Sequence, residues 1–343
     1  MEVPSILLNR ILSEASQKNG SDLHLTVGSP PMVRSSGRFA PLTGHEMLTA
    51  EVINKMVETL LSAEEIAELK EKKDLISVKN ISNFRFRVNI FYQKGLIALS
   101  FHFIPAVIKS FKELGLAESC DVFFKANSGL IVIAGAYNSG KTTTAAALIE
   151  EFNKTKPLNI VTIEDPIEYM FIGKKSLIAQ RQVGRDVETV DDALNYCLSE
   201  DVDLVYVNEI KDERAFNSAI PKIFELASGN CLAVLEVNAD SVERVLEKIL
   251  IGFSGLPAEA ARYNLADILV GALVQKLVKR RGGGLVLANE ILLNSSAVKS
   301  LIREGKIYQL RSVMQTSRRD GMISLEKSLE NLVNSNEIRR EDI

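Results

Sequence analysis

Eight consecutive residues, Gly135-Ala136-Tyr137-Asn138-Ser139-Gly140-Lys141-Thr142, have the spacing GxxxxGK[ST]. Each residue type has a chemical reason to be there. Glycines let the backbone turn tightly and aim its N–H groups at one point, which makes a cradle for a polyphosphate. Lys141 brings a positive charge to the β- and γ-phosphates, and the Thr142 hydroxyl can ligate Mg²⁺. The flanks agree with this reading. Leu130 to Ala134 is a short apolar run, as in a buried parallel strand, and Thr143 to Ile149 reads as a helix. A chance glycine-rich turn needs neither flank. The expected ligand is ATP with Mg²⁺.

A phosphate cradle binds; hydrolysis also needs carboxylates near the metal and the attacking water. Two apolar runs end in such groups. Asn159 to Ile163 leads into Glu164-Asp165-Pro166-Ile167-Glu168, and Leu204 to Asn208 leads into Glu209. In an open α/β sheet the carboxyl ends of strands converge on the ligand crevice. Glu209 is expected either to orient the water or to act through a Mg²⁺-bound water, and Glu164 is the second acid. Taken singly, each could be a surface carboxylate at a strand end.

These groups need a sheet to hold them. From Phe111 onward apolar runs alternate with helical stretches, the pattern of an α/β domain with a largely parallel sheet. The first hundred residues read differently, as a small α+β module. Ile6, Leu7, Ile11, Leu12 and Ala15 recur at helical spacing, and Asn19-Gly20 ends that helix. Ser62 with Glu65 is a capping box. Phe84, Phe86, Val88 and Ile90 alternate with Arg85, Arg87 and Asn89. After Gln93-Lys94-Gly95 the chain returns with Ile97, Leu99, Phe101 and Phe103 against Ser100 and His102. The expectation is a hairpin with one core face and one cationic face.

Composition sets the bounds. At 343 residues the chain suits two domains, and 46% hydrophobic with 25% charged residues describes a globular protein. A net charge of −3 argues against a general nucleic-acid binder. No apolar run approaches the ~20 residues of a membrane span. Cys120, Cys197 and Cys231 lack the CxxC spacing of a zinc site and read as buried thiols. The charged stretch from Glu337 to Asp342 reads as a solvated end.

Taken in order, several segments resemble the type IV pilus retraction ATPases, the PilT/PilU branch of the type II/IV secretion ATPase superfamily. They are Ser21-Asp22-Leu23-His24-Leu25, Pro30 to Arg34, Phe86-Arg87-Val88-Asn89, the phosphate loop, Thr162 to Glu168, Gln180 to Asp186, Gly282-Gly283-Gly284, Glu290-Ile291 and Leu301 to Glu304. The resemblance implies a PAS-like N-terminal domain over residues 1–104, a linker over 105–112 and a RecA-like ATPase domain over 113–343. It implies a cytoplasmic homohexamer, or a mixed ring with a catalytic relative, peripheral to the inner face of the membrane and docked beneath a platform protein. Nucleic acid is not an expected partner. It also implies that Arg87 and Arg85 reach the nucleotide phosphates of a neighbouring subunit, while residues 135–143, ending in Thr143, hold the nucleotide in their own.

The chain departs from that family in places. His102 stands where relatives carry an arginine, and an imidazole is mostly neutral near pH 7. Asn195 and Ser199 replace arginines, and Asn208-Glu209-Ile210-Lys211-Asp212 replaces Gly-Glu-Met-Arg-Asp. In the histidine box Asn230 replaces the first histidine, and Glu236 or Val237 the second, depending on a one-residue gap. Three functions follow as alternatives: a retraction motor, an accessory paralogue that binds ATP and barely hydrolyses it, and a DNA-transfer ATPase using Lys279-Arg280-Arg281.

Overall fold

A computed structural model describes residues 3–116, 120–253, 257–317 and 321–342. The chain divides into two compact units, Met1–Val107 with Gly282–Leu285, and Ile108–Arg281 with Val286–Ile343.

The first unit contains α1 (Pro4–Gln17), β1 (Gly20–Thr26), β2 (Met32–Ser35), β3 (Arg38–Pro41), α2 (Ala50–Leu60), α3 (Ala63–Lys72), β4 (Asp74–Ile81), β5 (Phe84–Gln93) and β6 (Leu96–Ile104). Its strands form one antiparallel sheet in the order β3-β2-β1-β6-β5-β4. The alternation read from β5 and β6 is realised. Phe86, Val88, Ile90, Leu99 and Phe101 pack with Leu8, Ile11 and Leu12 of α1 and Ile53 and Met56 of α2. Arg87 faces His102 across the hairpin on the other side. Both halves of the Ser62/Glu65 capping box are formed, which starts α3 directly after α2.

The second unit contains α4 (Asp121–Lys125), β7 (Gly129–Gly135), α5 (Lys141–Thr155), β8 (Asn159–Glu164), β9 (Leu177–Gln182), α6 (Val190–Ser199), β10 (Leu204–Val207), α7 (Glu213–Ser228), β11 (Leu232–Val237), α8 (Val242–Ile251), α9 (Ala258–Ile268), β12 (Leu269–Lys279), β13 (Leu285–Leu293), α10 (Ser296–Arg303), α11 (Leu310–Thr316) and α12 (Leu325–Asn334). The sheet order is β13-β12-β7-β11-β10-β8-β9, and the run from β12 to β9 is parallel.

Both faces of this sheet are covered, so its strands are apolar throughout rather than alternating. Residue parity sorts the two layers. Val132, Ala134, Val205, Val207, Ala233 and Leu235 join the core that includes α7, α8 and α9. Ile131, Ile133, Leu204, Tyr206, Leu232 and Val234 join the core formed with Ala145, Leu148 and Phe152 of α5. This is a doubly covered α/β layer, with α5 on one side and most other helices on the opposite one.

The charged end of the chain is not a free tail, contrary to the sequence expectation. Ile338 is 2% exposed and packs with Val278, Ala288 and Leu329, and Arg280 pairs with Glu337. A single apolar residue inside the charged run was enough to dock it, while Arg339, Arg340 and Glu341 stay exposed. The pairing of Arg280 also removes it from a free basic patch.

Glu290 of β13 ties the sheet to α8. It is 5% exposed, and its Oε2 accepts from Val242 N–H at 3.0 Å, at the first turn of α8. Burial pushes its carboxyl up to about 7, against the lowering effect of that hydrogen bond. The unfolded chain therefore releases this proton at lower pH than the folded one, and stability falls as pH rises from about 4.5 to 7. Glu290→Gln keeps an acceptor for Val242 and has no such loss. Its thermal midpoint relative to the parent should rise between pH 5 and pH 8, with a ceiling of ~3 kcal/mol at about 1.4 kcal/mol per pH unit. A midpoint difference that stays flat over that range would contradict this account.

Candidate functional site

β7 delivers the glycine-rich loop to the carboxyl edge of the sheet, in the middle of the strand order. Gly135 ends the strand at φ 152°, and a Cβ there would lie 2.3 Å from Ser139 Oγ and 2.6 Å from the Gln275 carbonyl oxygen. Only glycine fits. Asn138 takes φ 59°, a left-handed conformation that asparagine tolerates, and Gly140 takes φ 91° as the residue that opens α5. Ala136, Tyr137 and Asn138 are exposed, while Ser139 is buried. Lys141, Thr142 and Thr143 form the first turn of α5, where free backbone N–H groups and the helix dipole favour an anion.

Lys141 is 6% exposed, and all three of its ammonium donors are engaged. Nζ lies 3.0 Å from the carbonyl oxygens of Gly135 and Ala136 and 3.1 Å from Glu209 Oε2. The loop thus aims the charge at the strand-end carboxylate chosen from the sequence. Glu209 Oε1 also accepts from Asn238 Nδ2 at 3.1 Å, so the carboxylate is held from two strands' ends.

Glu164, the last residue of β8, is 2% exposed and accepts from Thr162 Oγ1 at 2.6 Å and Gln180 Nε2 at 3.2 Å. Around the helix start, Thr143 Oγ1 meets the Tyr169 hydroxyl at 3.1 Å, and Gln275 Nε2 donates to Thr144 Oγ1 at 2.7 Å. Ser139 Oγ and Gln275 Oε1 are buried without a hydrogen-bond partner in the chain. A buried hydroxyl donor beside turned-in backbone and a lysine is what a polyphosphate would satisfy, so the residues fit that ligand. Among the described residues no cluster of three or more His, Cys, Asp or Glu is arranged to hold a metal by itself.

One residue here was barely legible in the sequence. Glu236 of β11 is 2% exposed, and its register partner is Ile133 of β7. It shares parity with Leu232 and Val234, which puts its side chain on the α5 side of the sheet. There it accepts from the Tyr206 hydroxyl at 2.5 Å and lies 3.4 Å from Thr142 Oγ1. Burial pushes its carboxyl up to about 8, opposed by the Tyr206 hydrogen bond and by Lys141. The usable signal was a lone carboxylate inside the apolar run Leu232 to Val237. Such a group is expensive to bury without a purpose.

Arg85 and Arg87 belong to the first unit, on β5. Arg85 Nη1 donates to Asn80 Oδ1 at 3.1 Å, and Arg87 is half-buried. His102 lies between Arg87 and Asp22 in register, with Nδ1 2.9 Å from Asp22 Oδ1. Burial opposes ionisation of Asp22, yet hydrogen bonds from His102 and Ser21 hold its carboxyl below the usual range. All three histidines of the chain, His24, His45 and His102, lie in this unit.

A doubly covered parallel sheet with this loop after a central strand defines a RecA-like P-loop ATPase domain, here accompanied by a small α+β unit. The chain belongs to the type II/IV secretion system protein family, whose family model matches residues 2–279. It is 32% identical to the type IV pilus retraction ATPase PilT of Pseudomonas aeruginosa, over 98% of this chain and 96% of that protein. It is 31% identical to the type IV pilus ATPase PilU of the same organism, over 97% of this chain and 86% of that protein. Among solved structures, the pilus retraction motor PilT with bound ADP superposes with a TM-score of 0.83 at 34% identity, covering 97% of this chain and 95% of that one. The resemblance to the pilus retraction ATPases therefore extends over nearly the whole chain. No described helix is long and apolar enough to cross a membrane.

Proposed function

We propose that this chain is an ATP-hydrolysing motor subunit of a type IV pilus system that drives or assists pilus retraction. One observation carries the reading: Lys141, gripped by two loop carbonyls, points its third donor at Glu209 beside the helix start. In this reading residues 135–143 hold the triphosphate, with Lys141 on its β- and γ-oxygens and Thr142 as the Mg²⁺ ligand. Mg²⁺, when bound, neutralises developing charge on the phosphates. Glu209 orients the attacking water directly or through the metal's water shell, and Glu164 is the supporting acid.

The similarity to PilT, solved with ADP, supports a nucleotide at this loop. It also supports extending the family's assembly to this chain: a cytoplasmic hexameric ring at the inner membrane face beneath a platform protein, with nucleotide between subunits. Arg87 and Arg85 then act on the neighbouring subunit's phosphates, and the working units are residues 1–104 and 113–343 joined by 105–112.

A second reading, an ATP-binding accessory paralogue of the motor, is favoured by the substituted positions. His102 is committed to Asp22, and the second unit contains no histidine. A single missing arginine at a phosphoryl-transfer site can cost ~10³–10⁵ in rate. Steady-state ATP turnover of the purified protein, with and without a catalytic relative, separates the two. The motor reading expects turnover by the chain alone above background. Turnover only in the mixed assembly selects the accessory reading, and absence of nucleotide binding overturns both.

A further inference from the structure

Glu236 is a buried carboxylate in the central region of the sheet, and the roles assigned above do not use it. Its two oxygens face different partners. Oε1 accepts from the Tyr206 hydroxyl at 2.5 Å, and Oε2 lies 3.4 Å from Thr142 Oγ1, at the outer limit of hydrogen bonding. Tyr206 is 1% exposed and cannot turn to solvent, so the carboxyl plane is fixed from behind. Lys141, Glu168 and Glu209 are charged groups that act on it electrostatically.

A threonine hydroxyl has one proton to donate and two lone pairs to offer. A cation ligand must present the lone pairs outward, which requires the proton to go elsewhere. Glu236 Oε2 is the acceptor positioned for it, either as a carboxylate or as the neutral acid with its proton on Oε1 toward the Tyr206 oxygen. We propose that Glu236 is the positioning residue for Thr142, through a Tyr206–Glu236–Thr142 relay, and so sets how strongly Mg²⁺ tightens nucleotide binding. This rests on the nucleotide site proposed above. Loss of an outer-shell partner typically weakens metal affinity by 10–100-fold.

The test is titration of a fluorescent ADP analogue into the full-length protein, in Mg²⁺ and in EDTA. Glu236→Leu should lose the Mg²⁺-dependent part of the affinity by about 10–100-fold and retain the EDTA value within about threefold. Glu236→Gln has a carbonyl acceptor for Thr142 and an amide for the Tyr206 oxygen, so it should keep most of the Mg²⁺ effect. If Glu236→Leu does not fold, Tyr206→Phe serves instead, with a smaller loss of the same Mg²⁺-dependent part. An unchanged Mg²⁺ effect in the folded variant, or equal loss in Glu236→Gln and Glu236→Leu, overturns the relay. A parent protein that binds no nucleotide in either buffer would instead overturn the proposed function.

Discussion

Lys141→Ala should weaken nucleotide binding by roughly 10²–10³-fold and reduce ATP turnover to background. Two effects add in that variant. A charge-assisted hydrogen bond to a phosphate oxygen is lost, which alone costs about 1.5–3 kcal/mol. The second effect comes from Glu209, whose Oε2 sits 3.1 Å from Nζ. Without the lysine, that carboxylate faces the incoming phosphate with no intervening cation. Two like charges about 4 Å apart repel by about 1 kcal/mol where water screens them, and Glu209 is partly exposed. The fold should survive, because Glu209 is partly exposed and keeps the bond from Asn238. Titration of the fluorescent nucleotide, with circular dichroism as the folding control, checks both statements. Affinity within threefold of the parent, in a folded variant, would remove Lys141 from the phosphate site.

Short-range chemistry made much of this site readable from the chain alone. The loop is contiguous, so Gly135 to Thr142 declared their geometry by spacing, and the positive φ values of Gly135 and Gly140 fit the glycines of that spacing. Glu164 and Glu209 were legible because each terminates an apolar run, and parallel strands bring their carboxyl ends to one edge. The β5–β6 hairpin was equally plain, since alternation over nine or ten residues leaves one assignment of faces.

Glu236 was not legible in the same way. Its partners, Tyr206 and Thr142, are 30 and 94 residues away in sequence. They meet only because β11 inserts between β7 and β10, an order that apolar runs do not announce. Reading the segment against the family's histidine box left Glu236 and Val237 as alternatives. In the structure Val237 joins the α7–α9 core, and Glu236 faces α5. The docking of Ile338 escaped for a related reason, since burial of one residue in a charged run depends on a groove made by β12, β13 and α12.

Glu209→Gln should separate binding from chemistry. The amide has nearly the shape of the carboxylate, and its oxygen can still accept from Asn238 Nδ2, so the strand end stays in place. What disappears is the negative charge and the ability to take a proton. General-base assistance is worth typically 10²–10⁴ in rate, and turnover should fall by that amount. Affinity should move the other way or not at all. In the parent, a phosphate oxygen that approaches Lys141 competes with Glu209 Oε2 for the third ammonium donor, and the amide is a weaker competitor. ATP affinity equal to or up to about tenfold tighter than the parent is therefore expected, from the charge-assisted bond that no longer has to be displaced. Single-turnover hydrolysis with protein in excess over labelled ATP reads the chemical step even where multiple turnover is slow. Hydrolysis in the variant within threefold of the parent would transfer the water-orienting role away from Glu209. Glu164 would then be the next group to vary, since it ends the neighbouring strand and is already fixed by Thr162 and Gln180.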